Sequence, residues 1–107
     1  MNVIAMPIEF KHMVRHIGGD IDEFVKSVDD LVAISLIGVD HRQAAPVRPF
    51  LTALMARNLS ANAMVEFWSS TPSGVYFVDG EFVRKFLTAL LAKIKSEPYL
   101  TGNATQQ

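Results

Sequence analysis

The chain has no cysteine, which excludes disulfides, thiolate catalysis and cysteine-based zinc sites. It has no long apolar run either. The longest stretch, Leu31 to Val39, is interrupted by Ser35 and Gly38, whereas a membrane-spanning helix needs about 20 apolar residues. The opening residues, Met1-Asn2-Val3-Ile4-Ala5-Met6-Pro7, lack a basic start and a sustained apolar segment, so they do not read as a secretory signal. The expected compartment is therefore the cytoplasm, in a bacterial host, and the glycosylation sequons at Asn58 and Asn103 are chance matches. A phosphate loop is missing as well. Gly18-Gly19-Asp20 fits neither G-x-G-x-x-G nor G-x-x-x-x-G-K-[ST], and the acids that follow it would repel phosphate.

What the chain does have is an uneven layout of charge. Its 107 residues are 50% hydrophobic and 20% charged, with a net charge of −1. That is the composition of one globular domain, neither disordered nor membrane-embedded. Between Gly18 and Asp40 stand six acids, Asp20, Asp22, Glu23, Asp29, Asp30 and Asp40, against a single base, Lys26. From His41 to Val65 there are three bases and no acid, and from Phe82 to Ser96 four bases and no acid.

Local patterns predict the elements. Phe10, Met13, Val14 and Ile17 recur at helical spacing, although Ile8 and Phe10 also alternate with Glu9 and Lys11 as in a strand. Gly18-Gly19 breaks the first element. Asp20 with Glu23 forms a D-x-x-E capping signal, and Phe24, Val25, Val28 and Leu31 form a stripe, so a helix is expected over about Ile21 to Asp30. Val32 to Val39 is rich in Val, Ile and Leu and reads as a strand covered on both faces. Phe50, Leu51, Leu54 and Met55 predict a helix over Arg48 to Arg57. Ser60 is a plausible cap for a helix over Ala61 to Trp68, but Val65, Phe67 and Val75 to Val78 flank the turn signal Ser70-Thr71-Pro72-Ser73-Gly74. A hairpin of Met64–Ser69 with Val75–Val78 is the preferred reading. Asp79 caps a final amphipathic helix carrying Phe82, Val83, Phe86, Leu87, Leu90, Leu91 and Ile94, stopped by Glu97-Pro98. The expected fold is α+β: helices on one face of a small, at least partly antiparallel sheet, ending in a long C-terminal helix. Residues 1–97 form the domain and 98–107 a flexible polar tail.

Candidate chemistry is sparse. His12 and His16 form an H-x-x-x-H pair that would share one face of a helix, with Glu9 or Asp20 as a carboxylate neighbour. Such a pair is more often surface decoration, and no metal or other cofactor is expected. Asp40-His41 joins a carboxylate to an imidazole, but adjacent residues on an extended chain point apart and no nucleophile is at hand. Arg42, Arg48, Arg57, Arg84, Lys85, Lys93 and Lys95 could make a basic patch, but no aromatic-interleaved RNA motif accompanies them, and no nucleic acid is expected as a partner. An aromatic at Trp68 or Tyr76 is a candidate interface anchor.

These features favour binding over catalysis. The expectation is a non-enzymatic protein-binding module whose Asp20, Asp22, Glu23, Asp29, Asp30 and Asp40 meet a basic partner, with Trp68 or Tyr76 as anchor. In profile, though in no motif, the chain resembles bacterial toxin-immunity proteins. That resemblance implies an inhibitor that covers a basic enzyme such as a nuclease toxin. Two other classes stand beside it. One is an assembly module dimerising through an edge strand or the final helix. The other is a small metal- or ligand-binding domain or enzyme around Asp40-His41 and the histidine pair.

Overall fold

Ser27, Asp40, Ser60 and Asp79 each start a helix by accepting a hydrogen bond from a backbone N–H of its first turn, the role for which short polar side chains are preferred. The computed structural model describes residues 6–17, 27–73, 77, 79–96 and 98–101. Among them the regular structure is entirely helical. The elements are α1 (Ile8–Arg15), α2 (Val28–Ser35), the single turn α3 (His41–Ala44), α4 (Val47–Ala56), α5 (Ala61–Ser69) and α6 (Gly80–Ile94). No helix among these residues is long and apolar enough to cross a membrane.

The α+β expectation is overturned: among the described residues there is no strand, Met64 to Ser69 is helical, and Val32 to Val39 is helix and turn. Val32 to Val39 divides into the second half of α2 and the turn that follows it. Ser27 takes an extended conformation (φ −159°, ψ 169°) and its hydroxyl accepts from the Asp30 N–H at 3.2 Å. Leu31, Val32, Ser35 and Leu36 are buried, while Ala33 and Ile37 are exposed. That is a helical stripe and not an alternation. A β-branched run is only a weak preference, and a cap plus a matching buried face outweighs it. The buried Ser35 hydroxyl donates to the Leu31 carbonyl at 2.8 Å, so it enters the core satisfied. Gly38, at φ +75°, then turns the chain out of the helix. The extended Ser27 also prevents the expected helix over Ile21 to Asp30 from running through to Leu31. The earlier part of that helix lies outside the described residues.

The hairpin is replaced by α5. The Ser60 hydroxyl accepts from the Ala63 N–H at 3.1 Å, the cap that competed with the strand reading. Of the second strand only Phe77 is described, and it has no strand conformation. The predicted helices elsewhere match α4 and α6 closely. In α4, Pro49 sits in the first turn, where an N–H would have no partner within the helix. Asn58, at φ +51°, closes that helix in the left-handed region.

The core gathers around α6. Val83, Phe86, Leu87, Leu90 and Ile94 are fully buried, and α2, α4 and α5 pack against this helix. Helix α1 packs on α2, and α3 on α4. Two aromatic groups tie the layers together. Phe10 of α1 lies 5.2 Å from Phe50 of α4, and both rings are 6.2 Å from Phe67 of α5. Trp68 meets Phe77 at 5.0 Å and Phe86 edge-on at 5.6 Å. Two arginines fasten helix ends. Arg48 donates to the carbonyls of Ile94 (3.2 Å) and Tyr99 (2.9 Å), satisfying the C-terminus of α6 from α4. Arg84 of α6 donates to the Leu59 carbonyl in the α4–α5 connection.

The tightest approach is between α6 and α5. A Cβ placed on Gly80 would lie 1.9 Å from the Ala61 carbonyl oxygen and 2.6 Å from its Cα. Alanine is the better helix former by about 1 kcal/mol, but here the contact is backbone against Cβ and no side chain can swing away. Overpacking costs about 1–3 kcal/mol or more, so steric cost wins. Gly80→Ala should therefore destabilise the fold by about 2 kcal/mol, read by urea unfolding. A variant as stable as the parent would show that α5 and α6 do not approach this closely.

Candidate functional site

With α6 occupying the inner side of α2, the outer side of α2 is left to the solvent. Asp29, Ala33 and Ile37 follow one another at four-residue steps, and all three are exposed. Asp29 and Asp30 belong to the first turn, where the helix dipole favours a carboxylate. Ile37 leaves 60% of its surface open, more than any other large apolar residue described. On the α6 side, Asp29 and Ala33 border a groove of about 460 Å³ that Lys93 and Tyr99 also line. On the α1 side, Ile37 borders a second groove of about 440 Å³ with Glu9, His12, His16 and Gln43. The outer face of α2 is thus a ridge with one acidic end, a small centre and an exposed isoleucine.

Asp40 follows the Gly38 turn and is exposed. It caps α3 in a reciprocal box: its carboxylate accepts from the Gln43 N–H at 3.0 Å, and the Gln43 side-chain oxygen accepts from the Asp40 N–H at 3.1 Å. Arg42 approaches the same carboxylate at 4.0 Å. The Gln43 N–H holds the Asp40 carboxyl below its ordinary value. Desolvation opposes this in part, and the Arg42 charge adds a lesser lowering. No hydrogen bond joins Asp40 to His41 among the described residues, so the acid–base pairing considered from sequence does not form. Asp40 is a turn residue that starts a helix.

Of the other predicted contact residues, Trp68 is not at the surface. It is 1% exposed, packed between Phe77 and Phe86. The expectation of an outward aromatic rested on strand alternation. On a helix, adjacent side chains diverge by about 100°, which lets Trp68 enter one aromatic group while Phe67 borders the other. Asp20, Asp22, Glu23 and Tyr76 lie outside the described residues. The basic residues do not act as one patch: Arg48 and Arg84 are committed to backbone carbonyls. Among the described residues no three His, Cys, Asp or Glu side chains converge on a metal position.

Ile37 is the site residue that sequence reasoning missed, because a strand would have buried it. A helical wheel started at Ser27 would have exposed it, since it stands off the Leu31–Val32–Ser35–Leu36 stripe and in line with Asp29 and Ala33.

The lowered Asp40 carboxyl fixes a pH dependence. A carboxyl depressed in the folded chain stabilises above its unfolded value of 3.8, and loses that effect as pH falls through the lower folded value. Asp40→Ala should therefore melt below wild type at neutral pH, and the gap should close in strong acid. Thermal melts across the acid range check this. A gap that persists undiminished below pH 3 would mean that the charge plays no part.

No family model, no curated protein and no solved structure matches this chain.

Proposed function

We propose that this chain is a non-enzymatic, cytoplasmic protein-binding module, an inhibitor or immunity-type protein that neutralises a basic partner enzyme such as a nuclease toxin. The observation that carries the reading is the outer face of α2, with Asp29 and Ile37 both exposed on one line. Such a face suits a basic partner in two ways. The carboxylates of the acidic segment steer a positively charged surface into contact. Ile37 offers an apolar anchor, and the small Ala33 between them allows close approach. The anchor role expected of Trp68 passes to Ile37 in this reading.

Self-association through the two surfaces suggested by the sequence is less favoured. The apolar stripe of α6 is already packed within its own chain, and the described residues contain no strand edge.

The reading is tested by capturing partners from the native host at low and high salt, identifying a basic one, and titrating it with variants. The double charge reversal Asp22→Lys/Asp29→Lys should slow association and flatten the salt dependence of the affinity. Ile37→Ala should weaken binding while leaving the salt slope as it is, at a cost of about 1–2 kcal/mol for an interface anchor. Unchanged affinity and salt slope in the double reversal would overturn the proposal.

A further inference from the structure

We propose that His12 and His16 form a two-imidazole site for a borderline divalent transition ion of the nickel, copper and zinc class. The sequence favoured a helix only for the second half of this stretch; α1 spans Ile8–Arg15, and His16 follows as its C-cap with φ −67° and ψ −17°, still right-handed helical. Residues four apart on a helix carry their Cβ atoms about 5–6 Å apart on one face, a spacing at which two imidazoles can share one ion.

The packing of α1 fixes which way this face points. Phe10, Met13, Val14 and Ile17 are fully buried, so the helix cannot rotate without losing its core contacts, and positions 12 and 16 stay outside. Both histidines are exposed, and both line the groove of about 440 Å³ between α1 and the α2–α3 turn. Neither ring has a hydrogen-bond or ion-pair partner among the described residues, so no contact with those residues has to be broken for them to ligate. Gln43 lines the same groove. Its volume suffices for an ion with several retained waters, each occupying about 30 Å³.

Ligand chemistry sets the choice of ion. Imidazole suits copper, nickel and zinc, whereas magnesium and calcium require oxygen ligands. With no third convergent protein ligand among the described residues, the ion keeps open positions held by water. This site does not depend on the acidic-face reading.

The test is calorimetric titration of the untagged full chain with Ni²⁺, repeated with Cu²⁺ and with Mg²⁺. Wild type should bind one Ni²⁺ per chain, Cu²⁺ more tightly and Mg²⁺ not at all. Loss of outer partners alone lowers metal affinity by about 10–100-fold, so His12→Ala and His16→Ala should each weaken Ni²⁺ by at least about tenfold. His41→Ala, which removes the third histidine of the chain, should leave it unchanged. Both helix substitutions are at exposed positions and introduce the best helix former, and circular dichroism verifies that they fold. Absence of saturable Ni²⁺ binding in wild type, or binding retained in folded His12→Ala and His16→Ala, overturns the proposal.

Discussion

Helix α6 carries apolar side chains around so wide an arc that three other helices bury against it. Phe86, Leu87, Leu90 and Ile94 have no exposed surface, and burying one such side chain contributes about 1.5–3 kcal/mol. The arrangement works only because Gly80 admits the Ala61 backbone at the start of the helix and Arg48 binds the Ile94 carbonyl at its other end, together with that of Tyr99 beyond it. Both ends of the central helix are thus tied to neighbours, one by a missing side chain and one by a long one. The faces that the other helices turn to solvent are the complements of those they give to α6.

That dependence explains which parts of the fold were legible in the sequence. Helices α4 and α6 were legible because their apolar residues recur with a clear 3.6-residue period and nothing competes locally. Helix α2 was not. Its core-facing residues share a segment with Ile34 and Ile37, and the combined run looks like a strand until Ser27 is recognised as the cap. Asp20 and Glu23, which have the spacing of a capping box, lie outside the described residues, and the cap of α2 is Ser27, whose hydroxyl accepts from the Asp30 N–H. For α5 the β-type residues and the turn signal favoured a hairpin, and the Ser60 hydroxyl, which caps the helix instead, was the local signal given too little weight. Trp68 and Phe67, about 100° apart on the helix, then enter different aromatic groups.

The candidate surface was legible in part. Asp29 and Asp40 were singled out from charge alone, and both are exposed. Their roles in the fold differ. Asp40 is held by Gln43 in a reciprocal cap, so its carboxylate already has structural work. Asp29 accepts no such bond among the described residues and stands in the first turn of α2, where the dipole favours a carboxylate. Ile37 was invisible to charge reasoning and to strand reasoning alike, because it stands in the turn that follows α2, off the buried stripe and in line with Asp29 and Ala33.

Local physics accounts for acids at the start of α2 whether or not a partner exists, because a helix N-terminus favours negative charge by about 0.3–1 kcal/mol. It does not account for Ile37. An isoleucine with 60% of its surface in water contributes little to the core and adds apolar area that folding leaves uncovered. The turn needs Gly38 for its positive φ, but it sets no requirement for an isoleucine before it. The proposed binding face on α2 is therefore supported less by the carboxylates, which the helix explains by itself, than by the apolar residue that the fold does not use.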